Sequence, residues 1–136
     1  MADVTVSLRW RGEGLEFEGG APGGGVVRLD GSGGCGPTPM QLLLLSLAGC
    51  TAVDVVDILR KMRVSLGGLE VRVEGDRACE APRRYTRIRL VYEVQGLGVG
   101  EEEKVRRAIA LSHEKYCSVL HTLRPDVEVR SELVVA

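Results

Sequence analysis

Four cysteines and two histidines are the side chains in this chain of 136 residues best suited to nucleophilic or redox chemistry, and their spacing limits what that chemistry can be. The cysteines stand at 35, 50, 79 and 117, with no CxxC pair among them. Zinc centres are usually built on closely spaced ligand pairs, so no metal is expected. His113 and His121 flank Cys117, and His121 lies four residues beyond it, which raises a Cys–His nucleophile pair as one arrangement to weigh. Against it, both histidines fall in segments of surface-helix composition, where a histidine is more often solvated or capping. Gly31, Gly33 and Gly36 spell GxGxxG between a strand and a helix, the outline of a dinucleotide turn. That turn requires a second parallel strand ending in an acidic residue, whereas Asp54 and Asp57 lie inside the following helix. Pro37 and Pro39 also remove backbone donors from the place where phosphate would sit. No cofactor is expected.

Cys50 is the stronger candidate. A buried cysteine ordinarily acts as a small hydrophobe. Cys50, however, is flanked by Ala48-Gly49 and Thr51-Ala52, small residues that allow a ligand or another backbone to come close. A thiol in an apolar pocket ionises reluctantly and needs a nearby cation to become a nucleophile. Asp54, one helical turn on, opposes ionisation if it faces the sulfur. Arg28, on the strand before the glycine loop, is the nearest plausible cation.

The elements that position these residues follow from periodicity. Residues 3–10, 15–18 and 26–29 read as three short strands, the first two joined as a hairpin. A helix then opens at Thr38, with Pro39 in its first position and Gln41 completing a capping box. From Met40 to Val53 it carries no charge, and it becomes amphipathic at Asp54, Asp57, Arg60 and Lys61, as a central core helix would. The uncharged part falls short of the ~20 residues a bilayer demands, so no membrane association is expected. Two alternating stretches, 69–74 and 85–94, read as an antiparallel pair. Arg87 and Arg89 on the second can face Glu70, Arg72 and Glu74 on the first, so the basic run from Arg83 to Arg89 reads as a solvated sheet face. Glu101-Glu102-Glu103 starts a second helix with an inward stripe of Val105, Ala108, Ile109, Ser112 and Tyr116. Cys117 ends it, Ser118 caps one more short turn, and Pro125 precedes a last strand, Val127 to Val135. The order of elements predicts an α+β fold of antiparallel sheets packed around a long central apolar helix plus a second helix, with residues 1–136 as one domain.

Composition narrows the function. Hydrophobic residues make up 44% of the chain and aromatics only 4%, enough for an aliphatic core but not for stacking bases or sugars. Eighteen basic against nineteen acidic residues leave a net charge of -1, with no overall field to draw in a polyanion. Nucleic acid is not an expected partner. The N-terminal run Met1-Ala-Asp-Val-Thr-Val lacks the order of a secretory signal, and a cytoplasmic location with free cysteines is expected.

The segments Gly36-Pro-Thr-Pro-Met-Gln-Leu-Leu-Leu-Leu-Ser-Leu-Ala-Gly-Cys50 and Lys115-Tyr-Cys-Ser-Val119 resemble the OsmC/Ohr family of thiol-dependent peroxide reductases, and the order of elements is similar along nearly the whole chain. The resemblance is to an OsmC-like branch in particular, through Thr51-Ala-Val-Asp-Val-Val-Asp-Ile-Leu59. It implies that Cys50 is the peroxidatic thiol, Cys117 the resolving thiol and Arg28 the cation at the site. The implied reaction converts an organic hydroperoxide to an alcohol through a Cys50 sulfenic acid, which Cys117 condenses to a disulfide for an external thiol reductant to open. It also implies an intertwined homodimer, and an apolar helix suits such an interface. The family's glutamate, which holds the arginine, falls on Met40, which cannot pair with a guanidinium, so Asp30 is the nearest substitute. That departure keeps two other readings open: a dimer that senses oxidation or binds an apolar ligand at the same pocket, and a structural dimer with inert cysteines.

Overall fold

The computed structural model describes residues 2–136 and divides into two compact units, one ending at Leu43 and the other spanning Leu44–Ala136. The boundary falls within the long helix. The first unit holds a meander of three antiparallel strands, β1 (Ser7–Trp10), β2 (Glu16–Gly20) and β3 (Val27–Asp30). Arg9 lies opposite Glu18 and pairs with it, and Arg11 reaches the same carboxylate at 2.7 Å. After β3 the chain folds over the Asp30 carboxylate, which is buried and accepts from the Ser32 amide (2.9 Å), the Ser32 hydroxyl (2.6 Å) and the Cys35 amide (3.0 Å). The Gly33 amide goes to the Asp30 carbonyl. These bonds hold the Asp30 carboxyl below its ordinary range, the Ser32 hydroxyl contributing most. The glycine loop thus already encloses an anion of its own, and its amides are spent where a dinucleotide phosphate would need them.

Helix α1 (Pro39–Lys61) begins as its capping box dictates: the Thr38 amide donates to Gln41 Oε1 at 2.9 Å, and the Gln41 amide to Thr38 Oγ1 at 3.2 Å. It runs for 23 residues, beyond the charges at Asp54 and Asp57, and so becomes long and apolar enough to cross a membrane, contrary to the length argument from the uncharged segment alone. Its buried positions within the second unit are Leu47, Ala48, Thr51, Val55 and Leu59, a stripe repeating every four residues. The helix ends in a Schellman motif: the Val64 amide bonds the Leu59 carbonyl and the Arg63 amide the Arg60 carbonyl, with Arg63 left-handed at φ 61°.

The second unit carries the other sheet, in the order β4 (Gly68–Arg77), β5 (Tyr85–Gln95) and β6 (Glu128–Val135). Strands β4 and β5 are antiparallel as expected, but β6 joins β5 in parallel. The reason lies between them: α2 (Glu102–Leu111), a π-helical turn (Ser112–Tyr116) and α3 (Ser118–Thr122) carry the chain back along the sheet, and a helical crossover returns a strand in its original direction. The α+β class stands; wholly antiparallel sheets do not. Central strand β5 buries Ile88, Leu90, Val91, Tyr92 and Val94. On its outer face Arg89 pairs with Glu74 and with Glu132, while Arg87 pairs with Glu128 at 2.9 Å and lies across from Asp76 at 3.7 Å. The basic run is therefore neutralised across both neighbouring strands, Asp76 taking the place foreseen for Glu70.

Candidate active site

The buried stripe of α1 decides where its chemistry points. Cys50 and Asp54 are one turn apart, each immediately before a buried position, Thr51 and Val55. They therefore lie along the edge of the stripe, half-buried, at the margin of the core.

Cys117 arrives from the far end of α2, and the π-helical turn determines how. Its defining bond runs from the Cys117 amide to the Ser112 carbonyl, five residues back, at 2.8 Å. An α-helix would set Tyr116 over Ser112 and bury it, as the period of the inward stripe predicts. The extra residue in the turn sends Tyr116 out to 49% exposure and puts Cys117, fully buried, in its place. The chain then becomes extended at Cys117 (φ -72°, ψ 101°), and the Cys117 sulfur itself caps α3 by accepting the Leu120 amide at 3.4 Å. Ser118, expected as the cap, is instead the first helical residue.

The outcome is a cluster. Cys50 Sγ, Cys117 Sγ and an Asp54 carboxylate oxygen all lie within 4.8 Å of one another, with both thiols free. Burial above all pushes the Cys117 thiol up to about 11; the adjoining Cys50 sulfur and the Asp54 charge act the same way, against a lowering by the Leu120 amide. Metal binding and nucleophilic attack alike use the thiolate, so a Cys117 thiol raised by burial must lose its proton before it can do either. The other grouping of donors among the described residues, Glu16, Asp30 and Cys35, relies on a carboxylate already saturated by its own loop.

Beside the sulfurs runs a continuous line of hydrogen bonds that sequence reasoning did not find. Ser112 Oγ donates to Asp54 Oδ2 at 2.8 Å, Thr51 Oγ1 lies 3.0 Å from Ser112 Oγ, Tyr92 Oη 2.7 Å from Thr51 Oγ1, and His113 Nε2 2.6 Å from Tyr92 Oη. Thr51, Tyr92 and Ser112 are fully buried, and burial raises Tyr92 to about 12 and lowers His113 below its ordinary value. His113, read from sequence as a solvated residue, is half-buried and engaged with a phenol, not with a cysteine. His121 is exposed and meets Cys117 only through backbone, its amide on the Cys117 carbonyl at 3.1 Å. Among the described residues, neither histidine side chain is hydrogen-bonded to a cysteine.

Arg28 stands exposed on β3, opposite Glu18 in register, and Glu18 is occupied by Arg9 and Arg11. Asp30 is likewise committed to Ser32 and Cys35. Among the described residues Arg28 is in no ion pair, so the substitution of Asp30 for the missing glutamate does not occur.

The family model described as "OsmC-like protein" matches residues 30–132, a span that includes both cysteines of the cluster. The chain belongs to the OsmC-like family. Protein YhfA of Escherichia coli is 42% identical over 127 residues, 93% of each chain. A hypothetical protein of known structure from Aquifex aeolicus is 31% identical and superposes with a TM-score of 0.87 over 100% of this chain and 98% of its own. The organic hydroperoxide resistance protein OhrB of Bacillus subtilis shares the fold, with a TM-score of 0.63 at 20% identity over 97% of this chain and 98% of its own. The span that the family model matches also takes in the whole of α1.

Proposed function

We propose that this chain is a thiol-dependent peroxidase that reduces organic hydroperoxides. The observation that carries the reading is the approach of Cys50 and Cys117, 67 positions apart in sequence, to within 4.8 Å at the edge of the core. In the first step the Cys50 thiolate attacks the distal oxygen of ROOH, the O–O bond breaks, and ROH leaves with the thiol's proton. Cys50 becomes the sulfenic acid. The Cys117 sulfur then displaces hydroxide from Cys50, forming the disulfide and water, and two equivalents of an external thiol return both cysteines to the reduced state. Half-exposed Cys50 suits the role of first attacker, and buried Cys117 that of the resolving thiol. Arg28 is the cation we assign to the substrate, from its correspondence to the family's arginine. With Met40 where the family has glutamate and Asp30 engaged elsewhere, Arg28 acts without a fixed carboxylate partner.

The working form is a homodimer in the cytoplasm. Leu45 and Val53 are exposed on α1 within the second unit, apolar side chains that a second copy would bury. The decisive experiment is consumption of cumene hydroperoxide with a dithiol reductant: steady turnover in the wild type, abolished in Cys50→Ser, is expected. Equal slow consumption by both proteins refutes the proposal. The strongly protonated Cys117 and the absent glutamate favour one alternative, a sensor that is oxidised once. Titrating thiols after a single equivalent of peroxide, with and without reductant, separates one oxidation from repeated turnover.

A further inference from the structure

The line of hydrogen bonds beside the sulfurs has a fixed direction. Ser112 commits its single hydroxyl proton to Asp54, so at its other contact Ser112 accepts and Thr51 donates. Thr51 must then accept from Tyr92, and Tyr92 from His113, which places a proton on His113 Nε2. Every donor points the same way, from His113 to Asp54. The Asp54 end lies within 4.8 Å of both sulfurs. The His113 end lines a separate groove of 530 Å3 with Arg106, Glu114, Glu132 and Leu133, between α2 and β6. The π-helical turn makes this possible: consecutive residues Ser112 and His113 attach to the two ends of the line, while the same turn delivers Cys117 to the site.

We propose that Asp54, Ser112, Thr51, Tyr92 and His113 form a proton relay that delivers protons from the groove to Cys117 when its disulfide is reduced, an inference that rests on the Cys50–Cys117 chemistry above. The need is specific to that half of the cycle. During resolution the proton lost by Cys117 leaves with the hydroxide as water, so none is required from outside. During reduction an external thiolate attacks Cys50, the S–S bond breaks, and its electron pair goes to Cys117. That sulfur is buried and strongly prefers its protonated form, so as an unprotonated thiolate it is a poor leaving group. Asp54, its carboxylate taking a proton from Ser112, gives one to that sulfur. Ser112, Thr51, Tyr92 and His113 each pass one on in turn, and His113 recovers its proton at Nδ1 from water in the groove. The charged groups that bear on the relay are Asp54 beside the thiols at one end and Arg106, Glu114 and Glu132 at the other.

The test separates the two halves of the reaction. The disulfide is formed with diamide, so the measurement stands even if hydroperoxides prove not to be substrates, and its reduction by dithiothreitol is followed by stopped flow in H2O and D2O. Thr51→Val and Tyr92→Phe are expected to slow reduction at least fivefold and to reduce the solvent isotope effect, whereas Thr51→Ser, which keeps the hydroxyl, restores both. Wild-type rates and isotope effects in Thr51→Val overturn the relay, and so does a Thr51→Ser protein as slow as Thr51→Val. Should Tyr92→Phe fail to fold, the Thr51 pair still decides the question. Failure of the peroxidase reading shows itself elsewhere, as a wild-type protein in which cumene hydroperoxide forms no Cys50–Cys117 disulfide.

Discussion

Oxidation should stabilise this protein by an amount the chain positions allow one to work out. A bond between Cys50 and Cys117 closes a loop of 67 residues, all within the second unit. In the chain-entropy treatment, cross-linking such a loop removes about 15 cal/mol/K from the unfolded chain, or about 4 kcal/mol at room temperature. For a domain of this size each kcal/mol moves the melting temperature by roughly 3–4 °C, so the disulfide should raise it by about 12–16 °C, less any strain in drawing the sulfurs together. The perturbation is a small excess of cumene hydroperoxide followed by its removal. The assay is thermal unfolding by circular dichroism, oxidised against dithiothreitol-treated protein, with Cys50→Ser carried through the same steps. Non-reducing peptide mapping identifies the bond. The wild type should show the upward shift and Cys50→Ser none. A mapped Cys50–Cys117 disulfide with an unchanged or lower melting temperature would falsify the claim that the native fold holds the sulfurs ready for bonding, because the bond would then form only by distorting α1 or the π-helical turn.

The remaining expectations concern the surroundings of the thiols. Thr51→Val deprives the Tyr92 hydroxyl of its buried acceptor and should cost about 2 kcal/mol in urea unfolding, against much less for Thr51→Ser; equal losses would mean that the hydroxyl adds nothing. In the reduced protein, Cys117 ordinarily ionises near 9.0 and in the fold near 11, so its contribution to stability is complete below pH 9 and is lost as pH rises through 11. Tyr92, raised to about 12, adds a loss of the same sign at higher pH, and Cys117→Ser should flatten only the lower part of the decline. Burial lowers the pKa of His113, so stability is complete above its unfolded value near 6.5 and falls as pH drops below it; His113→Gln should reduce that acid-side slope. Arg63→Gly relieves a left-handed residue at the end of α1 and should stabilise the protein by about 1 kcal/mol in the same urea titration.

Local chemistry in the chain made much of this readable. The capping box at Thr38 and Gln41 marked the start of α1 because two side chains and two amides satisfy one another within four residues. The glycine loop reads as a poor dinucleotide turn because Asp54 and Asp57 lie inside the following helix and prolines flank its end, although the use of its amides by Asp30 appeared only in three dimensions. Family resemblance, not spacing, paired Cys50 with Cys117. Hidden from the sequence were features that depend on distant partners or on one residue of register. Strand β6 reads like any alternating strand whichever way it runs. The stripe ending at Tyr116 assumed an α-helical period that the π-helical turn breaks, so the position beyond Ser112 went to the wrong residue. Thr51, Tyr92 and His113 look ordinary singly, and only a hydroxyl in the middle of the buried face of α1 hinted that something polar had to meet it there.

The sulfur cap on α3 ties a stretch of backbone order to the oxidation state of a single atom. Helix α3 has five residues, too few to stand without help at its first turn, and the Leu120 amide relies on the Cys117 sulfur for its partner. When that sulfur enters a disulfide its position and its strength as an acceptor both change, and the amides of Leu120 and His121 should exchange with solvent faster. Formation of a Cys50–Cys117 disulfide should thereby become legible at the exposed surface around His121.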